Sequence, residues 1–80
     1  MSYMFEVYYQ SPADSTKEAT LTDLVRSHGG NLDYREAPEL NRPGSICLTF
    51  EFGDRERALA AAERLRRQGE HVEGPQDYGP

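Results

Sequence analysis

The sequence is poor in the features of secreted scaffolds and of membrane proteins. Its 80 residues include one cysteine, Cys47, and no tryptophan. A single cysteine cannot form an internal disulfide, which favours a reducing compartment. The longest uncharged apolar segment, residues 46–50, is far shorter than the roughly 18 residues that span a bilayer. Residues 1–6 lack the basic and apolar regions of a signal peptide, so we expect a cytoplasmic location and no membrane partner.

Basic residues are outnumbered in this chain. Nine lysine and arginine residues oppose fourteen acidic residues, which gives a formal net charge of −5. Because this charge repels a phosphate backbone, we expect no nucleic-acid partner. The arginines are nevertheless concentrated in one segment, at Arg55, Arg57, Arg64, Arg66 and Arg67. This pattern favours a solvated helix surface, and a docking surface for an acidic protein is the alternative.

The first part of the chain has the pattern of a strand followed by a helix. Residues 3–9 alternate between the two sides of a half-buried strand, with four large side chains on one side: Tyr3, Phe5, Val7 and Tyr9. Ser15 and Glu18 have the spacing of a capping box, which predicts the start of a helix. Gly29 and Gly30 are expected to end it.

Two further strands are predicted in the middle of the chain. Residues 31–37 favour a strand with Leu32 and Tyr34 on one face and Asp33 and Arg35 on the other. Prolines bracket the loop that follows. Residues 45–52 have the strongest strand pattern, with an apolar side that consists of Ile46, Leu48, Phe50 and Phe52.

The second half of the chain repeats the order strand, helix, strand. Asp54 is the expected N-cap of a helix that runs to Gln68 and ends at Gly69. Residues 71–73 favour a short final strand that ends at Gly74. We therefore predict one domain over residues 1–75 and a flexible tail over 76–80.

The halves echo one another in sequence, since Phe5-Glu6-Val7 opens the first and Phe50-Glu51-Phe52 the second. Two such units give a βαββαβ order. In this pattern the chain resembles the ferredoxin-like superfamily. The resemblance implies an α+β two-layer sandwich with an antiparallel sheet of order 4-1-3-2 and both helices on one face.

One face of such a sheet is left uncovered by helices. Alternation places a mixed set of polar and apolar side chains there, and this face is the predicted interface for a protein partner or a second copy. The residues expected at the interface are Met4, Tyr8, Arg35, Cys47, Thr49 and His71.

The sequence lacks the residues that carry the chemistry of the better-known superfamily members. The loop at residues 10–14 has neither the Cys-x-x-Cys of heavy-metal-associated domains nor the arginine of acylphosphatases. The open-face positions lack the paired aromatics of RNA-recognition motifs. His28 and His71 are expected at opposite ends of the sheet, and Cys47 is expected to be a small apolar residue. We therefore predict no catalytic residues, no metal site and no cofactor.

The loop before the first helix is the best candidate for a small ligand. A helix N-terminus favours an anion or carboxylate, and ACT-type regulatory domains, which this chain resembles in pattern, bind amino acids near the equivalent loop. The resemblance implies a site at Ser11, Asp14, Ser15 and Thr16.

The sequence is compatible with three functions. The leading hypothesis is a non-enzymatic interaction or regulatory module that acts through the open sheet face. The alternatives are an ACT-like sensor of an amino acid or anion, and a small dimeric α+β enzyme that would use His71 with Tyr8 or Tyr9.

Overall fold

The two-layer architecture follows the predicted order of elements. A computed structural model describes residues 1–39 and 42–78. The four strands form one antiparallel sheet in the order β2-β3-β1-β4. This is the ferredoxin-like α+β layout with the predicted strand order, read from the other edge. The elements are β1 (Ser2–Gln10), α1 (Ser15–Ser27), β2 (Asn31–Glu36), β3 (Ser45–Phe52), α2 (Arg55–Arg67) and β4 (His71–Tyr78).

The core lies between the helices and one face of the sheet. Alternation in β1 and β3 points the apolar side chains to this face, where Phe5 stacks against Phe52 with ring centroids 5.5 Å apart. The α2 helix approaches closely because its buried side is made largely of alanines. The residues at most 1% exposed in this layer include Val7, Val25, Leu48, Phe50, Ala58, Ala61, Ala62 and Leu65.

The start of α1 differs from the predicted capping box. Asp14 is the N-cap, and its carboxylate accepts a hydrogen bond of 3.0 Å from the Lys17 amide. The prediction that Ser15 caps this helix is therefore wrong by one residue. Asp54 caps α2 as expected, since its carboxylate accepts from the Glu56 amide at 2.8 Å.

A β-bulge in β2 changes the predicted face of Arg35. Leu32 pairs with Phe50, whereas Tyr34 pairs with Thr49, so one extra residue lies between them. An extra residue inverts the faces that follow it. Arg35 therefore points toward the helices, where its guanidinium donates two hydrogen bonds of 2.6 and 3.1 Å to the Glu18 carboxylate. The expectation that Arg35 lies on the open face is wrong.

The last strand is longer than predicted. β4 continues beyond Gly74 to Tyr78, and its second half pairs with residues 2–4 of β1. The ladder shifts register at Gly74, which has a φ of +104° and passes so close to β1 that a Cβ would lie 3.0 Å from the Met4 carbonyl oxygen. The strand end predicted at this glycine is wrong, and residues 76–78 of the predicted tail belong to the sheet. Residues 79 and 80 lie outside the described residues.

Candidate functional site

The central part of the uncovered sheet face has three rows of side chains that cross the strands. Rows are defined by the strand register, because directly paired residues point to the same face. The first row contains His71, Tyr8, Cys47 and Glu36, the second contains Glu73, Glu6, Thr49 and Tyr34, and the third contains Gln76, Met4, Glu51 and Asn31. We refer to these three rows as the open face.

The open face carries charge of one sign. Four carboxylates occupy its rows, from Glu6, Glu36, Glu51 and Glu73. Lysine and arginine are absent from these rows, which cover only strand positions that the structure describes. His71 is the one residue of the rows that can gain positive charge, and its Nε2 lies 3.2 Å from a Glu73 carboxylate oxygen. The surface therefore has a negative potential near neutral pH.

Tyr8, Cys47 and Glu6 form the centre of this face. The Cys47 thiol donates a hydrogen bond of 3.6 Å to the Glu6 carboxylate. Hydrogen bonding to Cys47 raises the pKa of the Tyr8 phenol, with smaller contributions from burial and from neighbouring carboxylates. Burial also raises the pKa of the Cys47 thiol. Since both groups stay protonated at neutral pH, this cluster has hydrogen-bonding and packing capacity but no activated nucleophile.

The two tyrosines proposed for an enzyme lie on opposite faces of β1. The Tyr8 and His71 rings are in edge contact on the open face, with centroids 5.7 Å apart. Tyr9 points toward α1, where its hydroxyl donates to Glu18 and accepts from the Asp14 amide at 2.9 Å. A site that combines His71 with Tyr9 is therefore not formed within one chain.

The residues predicted to bind a small ligand do not converge on one site. Ser11 is held by Gly44, since its hydroxyl accepts from the Gly44 amide at 3.0 Å and its own amide donates to the Gly44 carbonyl at 2.8 Å. Asp14 caps α1. Ser15 and Thr16 are exposed in the first helical turn.

An apolar cavity lies beside that loop and was not predicted. Its volume is about 570 Å³, and it opens between the β1–α1 and β2–β3 loops. Proline rings make much of its wall, and Ser11 is its only residue from the predicted ligand set. The described lining consists of Ser11, Pro12, Ala13, Ala37, Pro38, Glu39, Arg42, Pro43 and Ile46. The prolines were visible in the sequence, but nothing in their spacing showed that the two loops meet.

Strict alternation along the strands predicted most but not all residues of the open face. Met4, Tyr8, Cys47, Thr49 and His71 lie on it as predicted. Their role as an interface remains a prediction. Tyr34 and Glu36 were assigned no place at the interface because strict alternation ignores the bulge in β2. The sequence contains no signal for that bulge.

One other group of polar side chains lies at the end of α1. His28 caps the end of α1 and lies with Arg57 beside a shallow cavity. Within residues 1–39 and 42–78, no three His, Cys, Asp or Glu side chains are grouped so that they could hold a metal ion. In the same part of the chain, neither helix has the length and apolar character needed to traverse a bilayer.

Comparison with known proteins assigns no family to this chain. No model of a protein family matches it, and a search of curated protein sequences gave no significant match. The open face and the cavity are therefore the features from which a function can be proposed.

Proposed function

We propose that this chain is a non-enzymatic interaction module that docks a protein partner on its open face. One observation carries the proposal: β1 and β3 are covered by helices on one side, while their other side carries a continuous set of carboxylate, aromatic and thiol groups. Tyrosine is enriched at protein interfaces, and a surface with charge of one sign can select a partner of complementary charge.

The first test places a photo-crosslinking amino acid on each layer in turn. Tyr34 is the site on the open face because the residue is 60% exposed, and Ala60 on the outside of α2 is the matched site on the helix layer. Crosslinking in cells should yield a discrete partner from position 34 and not from position 60. The partner is then identified by mass spectrometry and purified.

Reconstitution with the purified partner completes this test. Tyr34→Arg should weaken binding at least tenfold, whereas Ala60→Arg introduces the same side chain on the helix layer and should leave affinity within twofold. Equal effects of the two variants, or crosslinks from position 60 alone, would contradict the proposal.

A second copy of the chain is the simplest alternative occupant. Two open faces packed against each other would bring eight carboxylates together without a lysine or arginine from the rows, which is unfavourable. Light scattering should therefore give the mass of a monomer at micromolar concentration. A salt-stabilised dimer that Tyr34→Asp dissociates would instead identify the open face as a homodimer interface.

The apolar cavity favours a second candidate function, the binding of a small ligand. Its volume lies within the usual range of ligand pockets, about 300–1,000 Å³. A thermal-shift screen of amino acids and small anions tests this function, because specific binding raises the melting temperature by mass action. Pro43→Glu at the cavity wall should abolish any shift, and a shift that survives this change would place the ligand elsewhere.

A further inference from the structure

We infer that the partner presents a cationic segment, with arginine or lysine side chains, to the open face. The inference rests on the proposed docking function and adds the chemistry of the occupant. It follows from the spacing of the carboxylates, from the aromatic groups between them and from the different charge pattern of the helix layer.

The carboxylates on the open face lie close enough to act together. Glu6 and Glu73 are directly paired on neighbouring strands, and Glu51 lies one strand and one row from Glu6. Strand geometry gives a separation of about 8 Å for the Cα atoms of Glu6 and Glu51. This separation is comparable to the Debye length of about 8 Å at physiological salt, so their fields add rather than being screened individually.

The pairing of Glu6 with Glu73 is unfavourable for the isolated domain. Like charges directly opposite on a sheet repel each other. Two contacts oppose this repulsion, the hydrogen bond from the Cys47 thiol to Glu6 and the His71 ring beside Glu73. A guanidinium or ammonium group from a partner would complement both carboxylates.

Aromatic rings on the open face can also bind a guanidinium or ammonium group. Tyr34 is 60% exposed, and Tyr8 contributes a half-buried ring between the carboxylates and His71. Cations are attracted to the faces of tyrosine rings, and arginine also stacks on them. A basic segment can therefore combine ion pairs at the carboxylates with contacts on the rings.

The outer surface of α2 does not have this single-sign pattern. Its exposed arginines are interspersed with Glu56 and Glu63, and Arg66 is occupied by hydrogen bonds of 3.2 and 2.6 Å to the Val72 and Gly74 carbonyls. A second copy that docked through α2 would also form a head-to-tail contact, which does not close into a dimer. A separate basic partner therefore fits the open face better than a second copy does.

The test uses a synthetic peptide with four arginines separated by alanine and leucine. A second peptide of the same length carries citrulline, the neutral isostere, in place of each arginine. Binding is measured by fluorescence anisotropy in 50 mM and 300 mM NaCl. The arginine peptide should bind at least tenfold more tightly than the citrulline peptide, and the higher salt concentration should reduce its affinity severalfold.

Matched variants locate the binding surface. Glu6→Gln and Glu51→Gln should each weaken binding of the arginine peptide about two- to fivefold, as expected for exposed ion pairs. Glu56→Gln and Glu63→Gln on α2 remove the same charge from the other layer and should change affinity less than twofold. Circular dichroism verifies that all four variants fold. The salt dependence of peptide binding is measured on the unmodified chain, so it tests the inference even if a variant does not fold.

Several outcomes would overturn the inference. Equal affinity for the two peptides would show that charge is not recognised, and equal weakening by both pairs of variants would show a general charge effect. A salt-sensitive self-association that Arg64→Glu removes would identify a second copy as the occupant. If the partner crosslinked at position 34 contacts the open face through an uncharged segment, the docking function holds and the cationic inference fails.

Discussion

The two faces of the sheet are built from alternate residues of the same strands, yet they differ in almost every physical respect. In β3, Phe50 is fully buried against the helices, while its neighbours Thr49 and Glu51 are half-exposed on the open face. The helix-covered face has apolar packing and paired charges. The open face has four carboxylates without a lysine or arginine in its described rows. One face therefore stabilises the fold, whereas the other is not covered by either helix.

The largest expected effect comes from removing a ring on the helix-covered face. Phe50→Ala should lower the free energy of unfolding by about 3–5 kcal/mol, because it deletes a fully buried side chain in the core. This loss is a large fraction of the roughly 5–15 kcal/mol typical of whole domains. Urea denaturation measures it.

Thr49→Ala, one residue earlier in β3, is the matched change on the other face. It should alter the free energy of unfolding by less than about 1 kcal/mol, since the side chain is only half-buried. Similar losses for the two variants would remove the distinction between the faces.

A smaller loss is expected from the ion pair that links α1 to β2. The Glu18 side chain is 15% exposed. Its carboxylate accepts hydrogen bonds from the Tyr9 hydroxyl and from Nε and Nη2 of Arg35. Glu18→Gln should lower the free energy of unfolding by about 1–3 kcal/mol, as for hydrogen bonds to charged groups. Thermal and urea denaturation measure this loss, and Glu63→Gln on the exposed side of α2 is the control.

The same ion pair gives the helix-covered face a pH dependence. Arg35, and to a lesser degree Tyr9, hold the pKa of the Glu18 carboxyl below its ordinary value of 4.5. The unfolded chain then takes up the proton at a higher pH than the folded chain, so this stabilisation is present above pH 4.5 and is lost as the pH falls through the folded value. The difference in stability between the unmodified chain and Glu18→Gln should therefore shrink on acidification. A difference that is constant from pH 7 to pH 3 would contradict this assignment.

The smallest effect, and one of opposite sign, is expected on the open face. Glu6→Gln removes the like-charge pair with Glu73 while its amide oxygen can still accept from Cys47. The free energy of unfolding should rise by about 0.2–1 kcal/mol at low salt and by less at high salt. Denaturation at two salt concentrations measures the change. A clear loss of stability would show that Glu6 serves the fold.

The sequence predicted the helix-covered face well, for a physical reason. Strict alternation in β1 and β3 and the two glycine-terminated helices determine which side chains are buried, and these patterns are local. The prediction failed where one extra residue is inserted in β2 and where β4 continues beyond Gly74. The bulge before Tyr34 inverted the face of Arg35, and the backbone freedom of Gly74 let β4 continue where the sequence suggested an end.

The candidate site was less predictable than the fold because its features are not local. The paired carboxylates of Glu6 and Glu73 come from strands that are distant in sequence, and only the register brings them together. The cavity at Pro12, Pro38 and Pro43 depends on the meeting of two loops. The ligand set failed to converge because Asp14 and Ser11 already have partners in the backbone.

The most direct test of the two-face interpretation is a methyl NMR titration with the arginine peptide. Met4 and Thr49 provide methyl groups on the open face, and Ala60 provides one on the exposed side of α2. We predict that the Met4 and Thr49 signals shift with peptide concentration while the Ala60 signal does not. Shifts at Ala60 with unchanged Met4 and Thr49 signals would contradict the proposal that the open face is the docking surface.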